Sequence, residues 1–336
     1  MTTAELTARF EGSRVLITGG LGFIGSNLAH ELVSGGAHVV LVDSLAPAYG
    51  GNPFNIAGIE ERVTVRIADV RDAGALSGLL RETDVVFNLA GQTSHLDSMR
   101  DPFTDLEINC LSQLALLEAC RQSNPDATVV FAGTRQVYGR PQYLPVDERH
   151  PIAPIDVNGI NKAAGEWYHL LYADIYGLNL SVLRLTNTYG PRMRVRDARQ
   201  TFLGTWLRAL VVGEELIVYG DGTQRRDFNY VDDAVRAFLL AAANEHAKGE
   251  VFNLGDDHVV SLADLARLLI ELNGAGSFRL EEFPTERRAI DIGDYYADFG
   301  KARDRLDWRP RVSLETGLAR SLAFYRDHGA HYWGDD

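Results

Sequence analysis

Thr18-Gly19-Gly20-Leu21-Gly22-Phe23-Ile24-Gly25-Ser26 follows a short apolar run, Arg14–Thr18, and leads into a stretch of helical character, Ser26–Val33. Gly20, Gly22 and Gly25 fit G-x-G-x-x-G, and Gly19, Gly22 and Gly25 fit the looser G-x-x-G-x-x-G. Between a strand and a helix, such a loop turns tightly and lets backbone approach a pyrophosphate. It also aims a helix N-terminus at the phosphate charge. Phe23 and Ile24 lie within this loop and are expected at the cofactor with the glycines. A second apolar run, His38–Val42, ends at Asp43, about 20 residues on, where the dinucleotide fingerprint requires an acid. A carboxylate there accepts hydrogen bonds from adenosine ribose hydroxyls and repels a 2′-phosphate. The cofactor expected is therefore NAD rather than NADP.

The same alternation continues outward from the loop. Val63–Ala68, Val85–Ala90, Thr128–Ala132 and Leu180–Arg184 are further strand candidates. Helical stretches near Leu76–Leu80, Asp105–Gln122 and around Lys162 separate them. Strands that alternate with helices predict βαβ units and a parallel sheet, and continuous apolar strands suit a sheet covered on both faces. After Gly190-Pro191 the rhythm changes. Helices are expected over Thr201–Val212, Asp232–Ala243, Ser261–Leu272 (with Ser261 as N-cap) and Leu314–Tyr325, and strands over Leu216–Tyr219 and Val251–Leu254. The fold expected is an α/β, Rossmann-type doubly wound parallel sheet with a smaller α/β substrate-binding lobe. Residues 1–186 plus 225–255 are assigned to the first, and 187–224 plus 256–336 to the second.

Bulk composition excludes several classes of function. The 336 residues carry a formal charge of −13, which argues against nonspecific binding to nucleic acid or anionic lipid. No apolar run approaches the roughly 18 residues of a membrane span. The N-terminal residues do not read as a signal peptide. Cys110 and Cys120 fall in one predicted helix about 15 Å apart, too far for a mutual disulfide. These features predict a reduced, cytoplasmic compartment. No metal site is expected.

Further segments carry a family resemblance over nearly the whole chain. They are Asp69-Val70, Asn88–Gly91, Asn109, Thr134 with Val137-Tyr138-Gly139, Lys162, and Asn187 with Tyr189-Gly190-Pro191-Arg192. Gly220-Asp221-Gly222, Arg226-Asp227-Phe228, Asp232-Asp233, Arg288 with Asp291, and Ala297-Asp298 complete the series. Together with the glycine loop and Asp43, this ordered set resembles the extended short-chain dehydrogenase/reductase family, whose members act on nucleotide sugars. The family includes UDP-galactose 4-epimerases, sugar-nucleotide 4,6-dehydratases and UDP-glucuronate decarboxylases. By this resemblance Asp69 and Val70 lie at the adenine, while Leu89, Ala90, Gly91 and Asn109 line the cofactor. Lys162 hydrogen-bonds the nicotinamide ribose, and Thr134 the sugar hydroxyl that is oxidised. Asn187, Arg226 and Arg288 grip the diphosphate, with Asp291 near the nucleoside and Ser98 at the substrate. Relatives dimerise through a four-helix bundle, and Asp105–Gln122 with Asn158–Tyr176 match its helices, so a homodimer is expected.

One position departs from the pattern. Where the family places a tyrosine as base, four residues before Lys162, this chain has Asn158. An amide does not titrate in the useful range. Three readings stay open at the level of sequence. Another group takes the proton, with His95, Tyr138 or a water between Asn158 and Lys162 as candidates. The substrate's own group takes part. Or NAD and a nucleotide sugar are bound without turnover. A second departure follows Thr134, where dehydratases carry Asp-Glu and decarboxylases a glutamate. Arg135-Gln136 stands here instead, and neither residue supports elimination by that route. Arg135 either binds an anionic sugar substituent or packs over the pocket rim. Epimerisation of a UDP-sugar through a 4-keto intermediate is therefore the expected reaction, with 4,6-dehydration or decarboxylation as the alternative. The basic stretch Arg192–Arg199 is either a solvated loop or a lid on the diphosphate.

Overall fold

The computed structural model describes residues 1–49 and 51–333. Its central sheet has seven parallel strands: β1 (Arg14–Thr18), β2 (His38–Asp43), β3 (Val63–Ile67), β4 (Val85–Asn88), β5 (Thr128–Thr134), β6 (Asn179–Leu185) and β10 (Val251–Asn253). Their order is β10-β6-β5-β4-β1-β2-β3. The direction of winding reverses between β1 and β4, and a crevice opens there at the carboxyl ends of the strands.

Strand alternation explains why the runs are apolar throughout. Val15 and Ile17 of β1 face one cluster, which contains Leu28 and Leu32 of the helix Phe23–Ser34. Leu16 faces the other, which contains Leu116 and Leu117 of the helix Ser112–Ser123 and Tyr172 of the helix Val157–Tyr176. Successive side chains point to opposite faces, so a sheet covered twice needs apolar residues at both parities.

Two smaller sheets build the second lobe. One has the order β11-β9-β7, from Val259–Ser261, Arg225–Tyr230 and Asn187–Tyr189. The other pairs β12 (Phe278–Glu281) with β8 (Leu216–Tyr219) in parallel. This corrects the expected division of the chain. The segment 225–230 belongs to the small sheet, because its ladder partners are 187–189 and 259–261. The helix that follows, Val231–Ala242, packs on β5 and β6, and β10 joins the central sheet beside β6. Of the lobe's expected range, 334–336 lie outside the described residues.

Other local departures have physical causes. The helix expected over Asp105–Gln122 starts earlier, at Pro102, with Asp101 as its cap, and contains a π-turn at Glu107–Leu111 before the run Ser112–Ser123. Proline at the first helical position and an aspartate before it are start signals. Ser261 caps the next helix as expected, its hydroxyl accepting from Asp264 N at 3.1 Å. The helix that carries Asn158 and Lys162 runs from Val157 to Tyr176, about 30 Å by helical rise. Asp156 caps its start and Gly177, at φ +71°, ends it.

Candidate functional site

A single cleft of about 880 Å³ runs from the glycine loop across the ends of β4, β5 and β6 to the second lobe. At one end lie Gly19, Gly22, Phe23, Ile24, Gly25, Asp43, Asp69 and Val70. Gly25 has no room for a side chain, since a Cβ there would overlap the carbonyl oxygen of Gly19. Gly19 itself sits at φ +67°, a conformation that favours glycine. The turn is thus closed against the helix start and offers backbone to a phosphate. Asp43 is buried and accepts from Leu21 N at 3.0 Å and Leu45 N at 2.9 Å. Each carboxylate oxygen keeps a second acceptor position for a ribose hydroxyl. Burial raises its pKa, partly offset by those two amides. Asp69 spends its carboxylate on Arg71, at 2.7 and 3.0 Å, which leaves Val70 and the backbone for a base edge.

The middle of the cleft is walled by Leu89, Ala90, Gly91, Thr134, Asn158 and Lys162. Gly91 lets the lysine approach: a Cβ there would stand 2.8 Å from Lys162 Nζ. Lys162 Nζ donates to Ala132 O at 3.3 Å and lies 5.0 Å from the centre of the Phe131 ring. Burial pulls its pKa down to about 8, against the pull of Asp105 upward. A lysine that titrates lower when folded penalises the native state fully below pH 8. That penalty fades as pH rises toward the unfolded value near 10.4. The melting temperature of the ligand-free protein, relative to a Lys162→Met variant, is therefore expected to rise between pH 8 and 10. Scanning calorimetry of both proteins checks this; a constant difference would contradict it.

Asn158 is anchored rather than loose. Its Nδ2 donates to Gln92 O at 2.8 Å and Asp105 Oδ2 at 3.1 Å. Both amide hydrogens are thereby engaged, which leaves Oδ1 as an acceptor only. Asp105 is itself buried and also receives Asn161 at 2.8 Å and Asn109 at 3.0 Å. Among these amides the carboxylate is spent on holding the wall.

The titratable pair at this end is His95 with Asp156. His95 Nδ1 lies 3.0 Å from Asp156 Oδ2. The approach is off the line of a well-aligned hydrogen bond. Asp156 is buried beneath it and accepts from Gly159 N at 2.7 Å and Gln136 Nε2 at 2.8 Å. Burial pushes the Asp156 carboxyl up, yet the His95 contact and these hydrogen bonds outweigh it and hold it below the usual range. His95 also lines the cleft, so its Nε2 is the nitrogen left for a ligand. Thr134 lines the same wall and accepts from Gln136 N at 3.2 Å, which leaves its hydroxyl proton to donate.

Four expected residues are placed elsewhere. Tyr138 is fully buried behind β5; its hydroxyl donates to Asn253 Oδ1 at 2.7 Å and accepts from Arg184 at 2.6 Å. Burial pushes its pKa up to about 12, and it cannot serve as the base. Ser98 does not line the cleft; its hydroxyl donates to His95 O at 2.7 Å and accepts from Asn158 N at 3.2 Å. Asn109 sits one layer behind Gly91 and donates to Gln92 O at 2.9 Å. Arg288 points to solvent, whereas its neighbour Arg287 lines the cleft over the Tyr219 ring at 5.3 Å. A one-residue change of helical phase accounts for the exchange.

At the lobe end, Asn187, Arg226 and Asp291 line the cleft. Arg226 donates to Arg225 O and Gly293 O and stands 3.8 Å from Asp291. Arg135 stacks on Tyr295 at 5.1 Å and donates to Asn187 Oδ1 at 2.9 Å. The basic stretch is largely neutralised: Arg194 pairs with Asp197, and Arg199 with Asp97 at 2.8 Å. Asp197, Ala198, Arg199 and Gln200 do form part of the cleft wall. Sequence reading missed Asp156, Asp105 and Arg287. An aspartate directly before a predicted helix was the available signal for the first.

The chain resembles known proteins along its length. Residues 15–255 match the model of the NAD dependent epimerase/dehydratase family. A putative UDP-glucose 4-epimerase of Methanocaldococcus jannaschii is 32% identical over 315 residues, covering 94% of this chain and 99% of that protein. A dTDP-glucose 4,6-dehydratase of an Actinoplanes strain is also 32% identical, covering 93% and 98%. Equal identity to an epimerase and a dehydratase means that overall similarity does not separate the two reactions. The solved structure of MoeE5 in complex with UDP-glucuronic acid and NAD has a TM-score of 0.82 at 31% identity, covering 94% of this chain and 99% of that one. Among the described residues no helix is long and apolar enough to cross a membrane, and no group of three or more His, Cys, Asp or Glu could hold a metal ion.

Proposed function

Since the chain belongs to the NAD-dependent epimerase/dehydratase family, we propose that it epimerises a nucleoside-diphosphate sugar, a UDP-sugar in the first instance, through a transient 4-keto sugar. NAD, when bound along the glycine loop, supplies the means of taking a hydride from a sugar carbon and returning it. The protein's own residues do the rest. Thr134 donates a hydrogen bond to the reacting oxygen, while Asn158 holds the wall beside it through Gln92 and Asp105. Lys162 brings positive charge close to that oxygen as it loses its proton. His95 Nε2 receives the proton, and the ionised Asp156 stabilises the imidazolium that forms. Arg226 and Arg287 face the diphosphate and shield its charge.

The observation that carries this reading is the His95–Asp156 pair at 3.0 Å, at the end of the cleft where Asn158 cannot titrate. It favours turnover over mere binding. Elimination is disfavoured because Arg135 stays protonated and Gln136 is committed to Asp156 at 2.8 Å. The test is incubation with UDP-glucose, UDP-glucuronate, GDP-mannose and dTDP-glucose. An epimer of unchanged mass supports the proposal. Loss of water or CO₂ would make the protein a lyase. Absence of product and of transient NADH absorbance with all four would leave only a binding protein.

We also propose a homodimer. Trp167, Leu171 and Ile175 are exposed at four-residue spacing on one side of the helix Val157–Tyr176, with Ile160 a turn or two before them and Phe103 and Leu111 exposed on the helical segments that pack against it. Such an apolar stripe is unusual on a monomer surface. Light scattering is expected to give twice the chain mass, and Leu171→Glu with Ile175→Glu to halve it. A monomeric wild-type protein at micromolar concentration would refute the proposal.

A further inference from the structure

The inference concerns Arg135 and rests on the nucleotide-sugar reading of the cleft. Five other cations line its wall. Arg100 pairs with Glu286 at 2.7 Å, Arg199 with Asp97, and Arg226 stands 3.8 Å from Asp291. Arg287 lies at the far end over Tyr219, and Lys162 in the middle against Ala132 O. Arg135 differs from those three paired arginines. Among the described residues no carboxylate forms an ion pair with it, and its buried Nη1 has no hydrogen-bond partner. Its other terminal nitrogen, Nη2, is fixed by Asn187 Oδ1 at 2.9 Å, and its plane rests on the Tyr295 ring. The guanidinium is therefore held in one orientation with an unspent donor.

Chain geometry puts Arg135 on the same stretch of cleft wall as Thr134. Arg135 directly follows Thr134, so their Cα atoms are 3.8 Å apart, and both line the wall at the end of β5. A buried cationic donor left without an acceptor is costly, and a planar fork matches a carboxylate best. We infer that Arg135 is a receptor for a carboxylate borne by the sugar ring, so that the preferred substrate is a nucleoside-diphosphate hexuronate rather than a neutral hexose. Desolvation also pulls the Arg135 pKa down, which is the direction that an incoming anion relieves.

The test is calorimetric titration of the NAD-loaded protein with UDP, UDP-glucose and UDP-glucuronate, which reads binding apart from turnover. UDP-glucuronate is expected to bind about 10- to 100-fold more tightly than UDP-glucose, the worth of one charge-assisted hydrogen bond. Arg135→Gln is expected to bring the two sugars level, while UDP, which has no sugar, keeps its wild-type affinity. Equal affinities in the wild-type protein would overturn the inference without any variant. So would an Arg135→Gln protein that loses UDP affinity in proportion, because the arginine would then serve the diphosphate. If none of the three ligands binds, the nucleotide-sugar reading itself fails, an outcome distinct from equal binding.

Discussion

Replacing His95 with glutamine is expected to lower kcat roughly 10²- to 10⁴-fold, the usual worth of a positioned general base. The KM for the sugar nucleotide should move little, because the phosphate contacts of the lobe are untouched. Glutamine keeps the size and polarity of the ring but cannot take a proton. Asp156→Asn is a milder perturbation of the same device. Asparagine still caps the helix at Gly159, so the fold around Lys162 should survive. It removes the negative charge that stabilises the imidazolium, and kcat should fall about 10- to 10³-fold, by analogy with other carboxylate-supported histidines. Steady-state kinetics with the best sugar nucleotide provides the measurement. A His95→Gln enzyme within threefold of wild type would return the role of base to a water near Asn158 or to the substrate itself.

Asn158→Tyr belongs to the same logic. A tyrosine would lose the two hydrogen bonds that Asn158 gives to Gln92 and Asp105. Asp105 would be left with Asn109 and Asn161 alone. Restoring the family's base is thus not a simple reversion, since the wall behind it has been rebuilt with amides.

The glycine loop and Asp43 could be read from the chain because each answers a local demand. A turn with no space for Cβ needs glycine, and a ribose hydroxyl at the end of β2 needs an acceptor. The strands were legible for the same reason, since apolar residues at both parities announce a sheet covered twice. What stayed hidden depends on packing between distant segments. Tyr138 and Ser98 carry polar groups suited to a site, and only tertiary structure turns them inward, toward Arg184 and toward Asn158. Arg287 and Arg288 are adjacent and chemically equal, and the phase of a five-residue helix decides between them. His95 and Asp156 are 61 positions apart, and nothing local joins them. The segment 225–230 adjoins a helix that packs on the Rossmann sheet, yet its own ladder partners lie in the lobe.

Truncating Glu166 to alanine is expected to destabilise the protein by roughly 3–5 kcal/mol, the usual effect of breaking one side of a buried ion pair. Glu166 and Arg184 are both buried, and the arginine engages the carboxylate with two nitrogens, Nε at 2.9 Å and Nη2. Its third nitrogen meets Tyr138 Oη, whose ring lies 4.7 Å from the guanidinium carbon. Tyr138 passes the chain on to Asn253 at the edge strand β10. With Glu166 gone, a charge remains in a space that water reaches poorly, and its remaining direct side-chain partner is the neutral Tyr138 hydroxyl. Against a typical total of about 5–15 kcal/mol, that loss is large. It should appear as a lower urea midpoint at unchanged slope. Adding Arg184→Met to Glu166→Ala is expected to recover much of the loss, because no charge is then stranded. Tyr138→Phe should cost about 1–3 kcal/mol and leave kcat within threefold, since its hydroxyl links Arg184 to Asn253 and touches no part of the cleft. A Glu166→Ala cost under about 1 kcal/mol would mean that water reaches Arg184. A Tyr138→Phe protein that folds but does not turn over would contradict the assignment of that tyrosine to the scaffold.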